Sequence, residues 1–265
     1  MFLTNYQFLK KKETFVLISL ILISVLMRIP VILLFGDIRL EHEWALLVYN
    51  LITHGKLVFE NLDGFLLPNL YLPPLYAYYL YFFSFFNLED KNYIILILSS
   101  QILLASISVA VFYKINKLFF SQKISFYSSL IFSLFPLHMY ACGQISSISL
   151  QMFLMILYLY FFFQFIKKKN LSSIIIFSFL SGLLILLRGE FKIILVLSLF
   201  YLFFFFKIPI KKILLIFLMT LVTISPYLIR NFIIFEKITI VETSGYNLWH
   251  GNHPNAMKNS IVEGL

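Results

Sequence analysis

Three carboxylates follow the first long apolar run of the chain: Asp37, Glu41 and Glu43, in the stretch Gly-Asp-Ile-Arg-Leu-Glu-His-Glu-Trp. A carboxylate at such a place can accept the proton of a hydroxyl or amine nucleophile, which is the task of a general base. An ordinary solvated loop rich in acids has the same composition, and composition alone favours that simpler interpretation.

Three cations stand at the ends of later apolar runs: Arg188, Lys192 and Arg230. The planar guanidinium group donates paired hydrogen bonds, a geometry that suits phosphate. These residues therefore predict a phosphate-binding site, although a long basic side chain near a helix end can also extend to the membrane surface without binding anything.

Polar and aromatic residues near the carboxyl terminus have the composition of a loop that binds a sugar or a lipid headgroup. They comprise Asn247, Trp249, His250 and Asn252. His138 is a further candidate at a helix end, where hydrogen bonding to the helix terminus is the simpler explanation.

Metal chemistry has no clear signal. His250 and His253 lack a nearby third ligand, and the single cysteine, Cys142, excludes an intrachain disulfide. No cofactor is indicated, although a divalent metal stays compatible with the sequence. Walker, dinucleotide-binding, HExxH and GxSxG motifs are absent from the sequence, so ATP-driven work and serine hydrolysis lack support.

The composition predicts an all-α polytopic membrane protein. Hydrophobic residues make up 61% of the chain and charged residues 12%, against about 25% charged in soluble domains. A helix crosses the hydrocarbon core because it satisfies its own backbone hydrogen bonds. Eight apolar stretches recur, at about 14–35, 71–86, 93–113, 124–140, 146–166, 171–187, 191–206 and 213–229.

Lysine clusters decide how many of these stretches cross. Eight spans with a cytoplasmic amino terminus would put three lysine clusters outside, against the positive-inside rule. Stretch 71–86 is short, contains Pro73-Pro74 and is rich in tyrosine, which favours the interface. If this stretch lies at the interface or re-enters the membrane, seven spans remain and every lysine cluster lies on the cytoplasmic side. All arginines and histidines then lie on the opposite side, which we call the outer side.

The resulting organisation has three parts: a cytoplasmic amino terminus over 1–13, a membrane module over 14–229, and an outer loop over 230–265. The first outer loop, about 36–92, includes an interfacial helix near 44–52. The first apolar run is longer than the hydrophobic core of a signal peptide and lacks a cleavage site, so we expect a retained span.

Four sequence pieces together resemble the GT-C membrane glycosyltransferases, in particular lipid A aminoarabinose transferases and Rgt-type lipopolysaccharide sugar transferases, with protein O-mannosyltransferases as more distant relatives. They extend over about residues 14–256. The pieces are the acidic first loop running into Asn50-Leu51 and Gly55, then Tyr71-Leu-Pro73-Pro74-Leu75-Tyr76, the Gly182 to Arg188 segment, and Pro226-Tyr-x-x-Arg230-Asn231 followed by Gly245 to Asn252.

The resemblance implies a seven-span amino-terminal module that transfers a sugar, with inversion, from a polyprenyl-phosphate donor. A lipid, a glycan or a protein would be the acceptor, membrane lipids would surround the protein, and nucleic acid would not be a partner. The expected base is Glu43, then Glu41, then Asp37. Basic residues would neutralise the leaving phosphate, and Tyr71 and Tyr76 would join the substrate-binding residues. The expected location is the bacterial inner membrane, with the active site facing the periplasm.

Two departures qualify this expectation. Many relatives have Asp at the catalytic position, where this chain offers glutamates, and the chain ends at Leu265 inside an outer loop, as expected of an amino-terminal portion. A transporter or flippase is the first alternative, but the span centres are Leu, Ile, Phe and Ser without a repeat. The second is a non-catalytic membrane subunit, which should tolerate the loss of Glu43.

Overall fold

The computed structural model of the chain describes residues 2–60 and 64–252. It is an all-α bundle with one short hairpin, which confirms the predicted fold class. The helices are α1 Phe2–Phe35, α2 His42–His54, α3 Pro74–Ser84, α4 Asp90–Asn116, α5 Gln122–Ser133, α6 Pro136–Ala141, α7 Ile148–Lys168, α8 Leu171–Leu187, α9 Phe191–Phe204, α10 Ile210–Phe235 and α11 Ser244–Asn252. Strands β1 Val58–Glu60 and β2 Leu66–Pro68 pair antiparallel, with Val58 opposite Pro68.

Four described segments are long and apolar enough to cross a membrane: Glu13–Phe35, Asp90–Asn116, Ile148–Lys168 and Ile210–Phe235. Helices α8 and α9 are also apolar but shorter. The expected span 124–140 is broken into α5 and α6, because Pro136 lacks a backbone N–H and holds the preceding Phe135 in an extended conformation.

Helix α3 has 11 residues and is therefore about 16 Å long. It is too short to cross a hydrocarbon core of about 30 Å, as the sequence predicted for the 71–86 stretch. It packs against α2, α4 and α8. The first loop is thus a folded layer on the bundle, made of α2, the hairpin and α3.

The bundle is organised around α4 and α8. Helix α4 packs against α1, α5 and α7, and α8 lies between α7 and α10. Gly182 permits the closest approach of α8 to α10, since a Cβ added there would lie 2.5 Å from the Cβ of Thr223. The buried serines Ser178 and Ser181 of α8 donate to carbonyls one turn back, so their hydroxyls are satisfied without water.

The chain after α10 folds back on the first loop. Glu236 adopts a left-handed conformation (φ 57°) that ends the helix. The side-chain amide of Asn231, which is fully buried, then donates to the carbonyl of Thr239 at 2.6 Å. The backbone N–H of Glu242 donates to the carbonyl of Leu70 at 3.0 Å. These bonds fix the carboxyl-terminal end of α10 beside the first loop.

Candidate functional site

Asp37 is the most firmly held of the three candidate carboxylates. It lies two residues after the end of α1, where its backbone N–H donates to the carbonyl of Gly143 at 2.8 Å. Its Oδ2 accepts the backbone N–H of Ile145 at 2.6 Å. A third hydrogen bond joins the same two segments: the side-chain amide of Gln144 donates to the carbonyl of Phe35 at 3.0 Å. The half-buried carboxylate is therefore oriented by the α6–α7 connection.

A buried network joins this connection to α3. The side-chain amide of Gln101 donates to the carbonyls of Cys142 at 3.2 Å and Gln144 at 2.9 Å. Its Oε1 accepts the hydroxyl of Tyr76 at 3.3 Å. Gln101 and Tyr76 are both fully buried, so three elements share one internal set of hydrogen bonds directly beneath Asp37.

Tyr76 is held from the other side by aromatic packing. Trp44 of α2 meets its ring edge-on, with centroids 4.9 Å apart, and Tyr79 stacks on it at 5.5 Å. Burial raises the pKa of the Tyr76 hydroxyl well above its usual range, and the nearby Tyr79 and the Asp37 carboxylate add to that shift. Tyr76, predicted to bind substrate, is therefore a neutral core residue in this conformation.

The two glutamates have different surroundings. Glu41 precedes α2 and forms an exposed ion pair with Arg39. Glu43 lies in the first turn of α2 and is exposed. Within the described part of the chain, its carboxylate has no hydrogen bond or ion pair. Glu43 is thus available to a substrate, but nothing orients it.

Arg188 is connected to the segment that anchors Asp37. It follows α8, donates from Nη1 to Oε1 of Gln151 at 3.0 Å, and has Nε 3.3 Å from the carboxylate of Glu190. Gln151 belongs to the first turn of α7, which begins three residues after Ile145. The 145–151 segment therefore carries the partner of Asp37 at one end and the partner of Arg188 at the other.

Arg230 has a structural position near the carboxyl-terminal end of α10. Nη1 donates to the carbonyl of Asn69 at 2.8 Å, and Nη2 donates to the carbonyl of Leu57 at 3.0 Å. Its guanidinium also lies over the ring of Tyr227, 5.3 Å from the centroid. Arg230 thus ties both sides of the hairpin to α10 through one planar group, which a lysine could not reproduce.

A cavity of about 650 Å³ opens beside Arg230, between the hairpin, α3 and α10. Lys56 is the second cation on its wall, and Tyr78 and Pro226 supply apolar surface. Gly55, which follows the last residue of α2, also lines this cavity, whereas Glu43 lies in the first turn of α2. The two residues are 12 positions apart, which corresponds to about 18 Å along a helix. The structure therefore places Arg230 and Glu43 at opposite ends of α2.

Lys192 lines a different cavity, of about 270 Å³, between α8, α9 and α10. Its walls are apolar, with Leu195, Phe217 and Leu228 among the lining residues, and segment 238–241 covers one side. Lys192 is exposed, so its cation stands at the edge of this apolar groove. The three predicted phosphate ligands are thus divided among three neighbourhoods.

The remaining predicted substrate residues do not form one cluster with the carboxylates. Tyr71 and Trp249 are exposed at 39% and 54%, and Asn252 is exposed and donates to the carbonyl of Leu248 at 2.7 Å. His138 is half-buried against Phe132 and lines a small cavity at α6. The side chains of Asn247 and His250, and all of residues 253–265, lie outside the described residues.

Sequence reasoning missed three residues that hold these groups in place. Gln101, Gln151 and Asn69 are amides within or beside apolar segments; Asn69 accepts the backbone N–H groups of Tyr71 and Leu72 at 2.9 Å. Gln101 and Asn69 are fully buried. A glutamine in the middle of a membrane span was the available signal for Gln101, since a buried amide requires partners.

Within residues 2–60 and 64–252, no group of three or more His, Cys, Asp or Glu side chains lies close enough to hold a metal ion. The candidate site consists instead of an oriented carboxylate, a buried amide network and separate cations.

Comparison with known families gives one match. A model of the family described as dolichyl-phosphate-mannose-protein mannosyltransferase matches residues 72–229, which is more than half of the chain. Among curated proteins, none matches. The matched range runs from the turn before α3 into α10 and includes Tyr76, Gln101, the 145–151 segment and Arg188. The three candidate carboxylates precede it in the chain.

Proposed function

Since the chain belongs to the dolichyl-phosphate-mannose-protein mannosyltransferase family, we propose that it transfers a sugar from a polyprenyl-phosphate donor to a lipid, glycan or protein acceptor on the outer side of the membrane. The family lies within the GT-C superfamily of membrane glycosyltransferases that use polyprenyl-phosphate sugars. What is proposed beyond that class is the acceptor range, the side of the membrane and the residues that act. The transfer would invert the anomeric carbon, in the inner membrane of a bacterium with the site facing the periplasm.

The observation that carries the site assignment is the Oδ2 of Asp37 accepting the Ile145 N–H at 2.6 Å. A catalytic base works best when a fixed hydrogen bond orients it, because its free lone pair then points in one direction. This bond uses one carboxylate oxygen and leaves Oδ1 for the acceptor. Asp37 is therefore our first candidate for the base, ahead of Glu43 and Glu41, whereas the sequence suggested Glu43 first, then Glu41 and then Asp37.

The chemistry of such a step is a direct displacement. The acceptor hydroxyl or amine gives its proton to the carboxylate and forms a bond to the anomeric carbon, while the bond from that carbon to the phosphate oxygen breaks. The leaving polyprenyl phosphate gains negative charge, which a nearby guanidinium stabilises. Arg188 is our candidate for that guanidinium, because Gln151 joins it to the 145–151 segment that also holds Asp37.

The remaining cations receive secondary roles. The groove beside Lys192 has apolar walls and one ammonium at its edge, which fits a hydrocarbon chain that ends in a phosphate. The cavity beside Lys56 and Arg230 fits a polar substrate, with Tyr78 as a surface on which a sugar can stack. Trp249, Asn252 and Tyr71 would contribute from the outer rim, as would Asn247 and His250.

The test follows donor consumption by the full chain in proteoliposomes that contain polyprenyl-phosphate sugars. Arg188→Gln should raise the KM for the donor by about tenfold or more, because one charge-assisted hydrogen bond to phosphate is lost. Arg188→Lys should recover part of the affinity. Lys237→Gln is the matched control, since Lys237 is an outer-side cation paired with Glu242 at 2.6 Å. An unchanged donor KM in Arg188→Gln would make Arg188 only an anchor of the helix end.

A further inference from the structure

Glu190 lies against the guanidinium that the proposed donor site uses. It is the last residue of the short turn between α8 and α9, and Arg188 is the first. Its carboxylate Oε1 is 3.3 Å from Nε of Arg188. An anion of this chain therefore already contacts the cation to which we assign the donor phosphate.

The ion pair between Glu190 and Arg188 is easily broken. The two side chains are 63% and 45% exposed, and ion pairs in contact with water contribute little to stability. Glu190 precedes α9, yet its side chain does not cap that helix. The carboxylate can therefore leave the guanidinium at little cost to the fold.

The guanidinium of Arg188 offers one edge to an anion. Nη1 donates to Oε1 of Gln151 at 3.0 Å, which holds the planar group in place. Nε and Nη2 lie side by side on one edge of that group, and two oxygens of a phosphate can bind such an edge together. Because Glu190 contacts Nε, a phosphate on this edge has to displace the carboxylate.

The charge of the phosphate changes during the proposed transfer. The phosphate of the donor is a diester and carries a single negative charge. The polyprenyl phosphate that remains after transfer is a monoester, with a charge of about −1.5 to −2 at neutral pH. Coulomb repulsion grows with charge, so the Glu190 carboxylate opposes the product more strongly than the donor.

We propose that Glu190 is an internal competitor for the phosphate at Arg188, which occupies the guanidinium in the empty site and favours release of the polyprenyl phosphate product. This inference rests on the proposed function, in which Arg188 binds the phosphate of the donor. Glu190 thereby sets the balance between donor affinity and product release without touching the reacting atoms.

The experiment measures equilibrium binding of a labelled short-chain polyprenyl phosphate to the full chain in lipid nanodiscs. Glu190→Gln should lower the Kd about two- to fivefold, the range expected when a competing exposed ion pair is removed. The methyl diester of the same polyprenyl phosphate, which is singly charged like the donor, should gain less affinity. The uncharged polyprenol should bind the natural chain and the variant equally.

Matched variants separate competition from a change in overall charge. Glu242→Gln also removes a half-exposed carboxylate from an ion pair, with Lys237, and should leave the Kd unchanged. Glu190→Asp keeps the negative charge and should restore most of the natural Kd. Arg188→Gln should weaken binding of the phosphate, and Glu190→Gln should have a smaller effect in that background than in the natural chain.

The outcomes distinguish this inference from the proposed function. If Arg188→Gln weakens binding but Glu190→Gln binds no more tightly than Glu242→Gln, the competition is wrong and the role of Arg188 stands. If Arg188→Gln binds as tightly as the natural chain, Arg188 is not the phosphate ligand, and both assignments are wrong. These measurements need no sugar transfer, so a chain that binds the phosphate without transferring a sugar contradicts the proposed function alone.

Discussion

The contact between α8 and α10 should be intolerant of any side chain at Gly182. A Cβ added there would lie 2.5 Å from both Cβ and Cγ2 of Thr223. The Cβ of Thr223 is fixed to the backbone, so a rotamer change does not relieve the overlap. Restoring a normal carbon–carbon separation of about 3.5–4.0 Å requires the two helices to move apart by about 1 Å.

The magnitude follows from this geometry for Gly182→Val. Overpacking a core typically costs about 1–3 kcal/mol, and contact with a backbone-fixed atom points to the upper part of that range. Valine has a slightly higher helix propensity than glycine, which offsets a few tenths of a kcal/mol of this destabilisation. The net loss of about 2–3 kcal/mol corresponds to a fall in Tm of about 5–10 °C for a chain of this size.

The assay is thermal unfolding in nanodiscs with Gly245→Val as the control, because a Cβ at Gly245 meets nothing within 4 Å. Gly182→Val combined with Thr223→Gly should recover part of the loss, a coupling that a double-mutant cycle measures. The reasoning about this contact is refuted if Gly182→Val unfolds within about 1 °C of the natural chain, or if the Thr223→Gly background brings no recovery.

Three other perturbations probe the site and the topology. The single native thiol, Cys142, is buried, so an introduced cysteine can be labelled selectively. Asp90→Cys should react with an impermeant maleimide added from outside, and Gln122→Cys should not. The reverse pattern would make the 71–86 stretch a full span. Gln101→Leu leaves buried partners unsatisfied and should lower the unfolding free energy by about 2–4 kcal/mol; an unchanged denaturation midpoint would show that the network does not support Asp37. Arg230→Lys should make the hairpin cleavable in limited proteolysis, because one ammonium does not replace the two-sided bonds to Leu57 and Asn69; an identical digestion pattern would contradict that role.

Much of the architecture could be predicted because it depends on hydropathy and charge. The apolar stretches became helices at nearly the expected positions, and the short Pro73-Pro74 stretch became an 11-residue helix. The break at Pro136 was visible in principle, since proline removes a backbone donor inside an apolar run. It was missed because hydropathy alone continues across residues 124–140.

The site was less accessible to sequence reasoning. Asp37, Glu41 and Glu43 are equivalent in composition, and only the contact with Ile145, more than a hundred residues away in the chain, distinguishes Asp37. Likewise, Arg188 and Arg230 both follow apolar runs, yet one faces Gln151 and the other holds the hairpin. Long-range pairings of this kind depend on helix packing, which local patterns do not encode.

The central claim is that this chain transfers a sugar from a polyprenyl-phosphate donor with Asp37 as the oriented base. The most direct measurement is the initial rate of sugar transfer by the full chain in proteoliposomes, comparing Asp37→Asn with Glu43→Gln. We predict a loss of about 10²-fold or more for Asp37→Asn, at equal expression and Tm, and a change of only a few fold for Glu43→Gln. A natural chain that consumes no polyprenyl-phosphate sugar would contradict the function, and an Asp37→Asn variant that keeps the natural rate would contradict the base assignment.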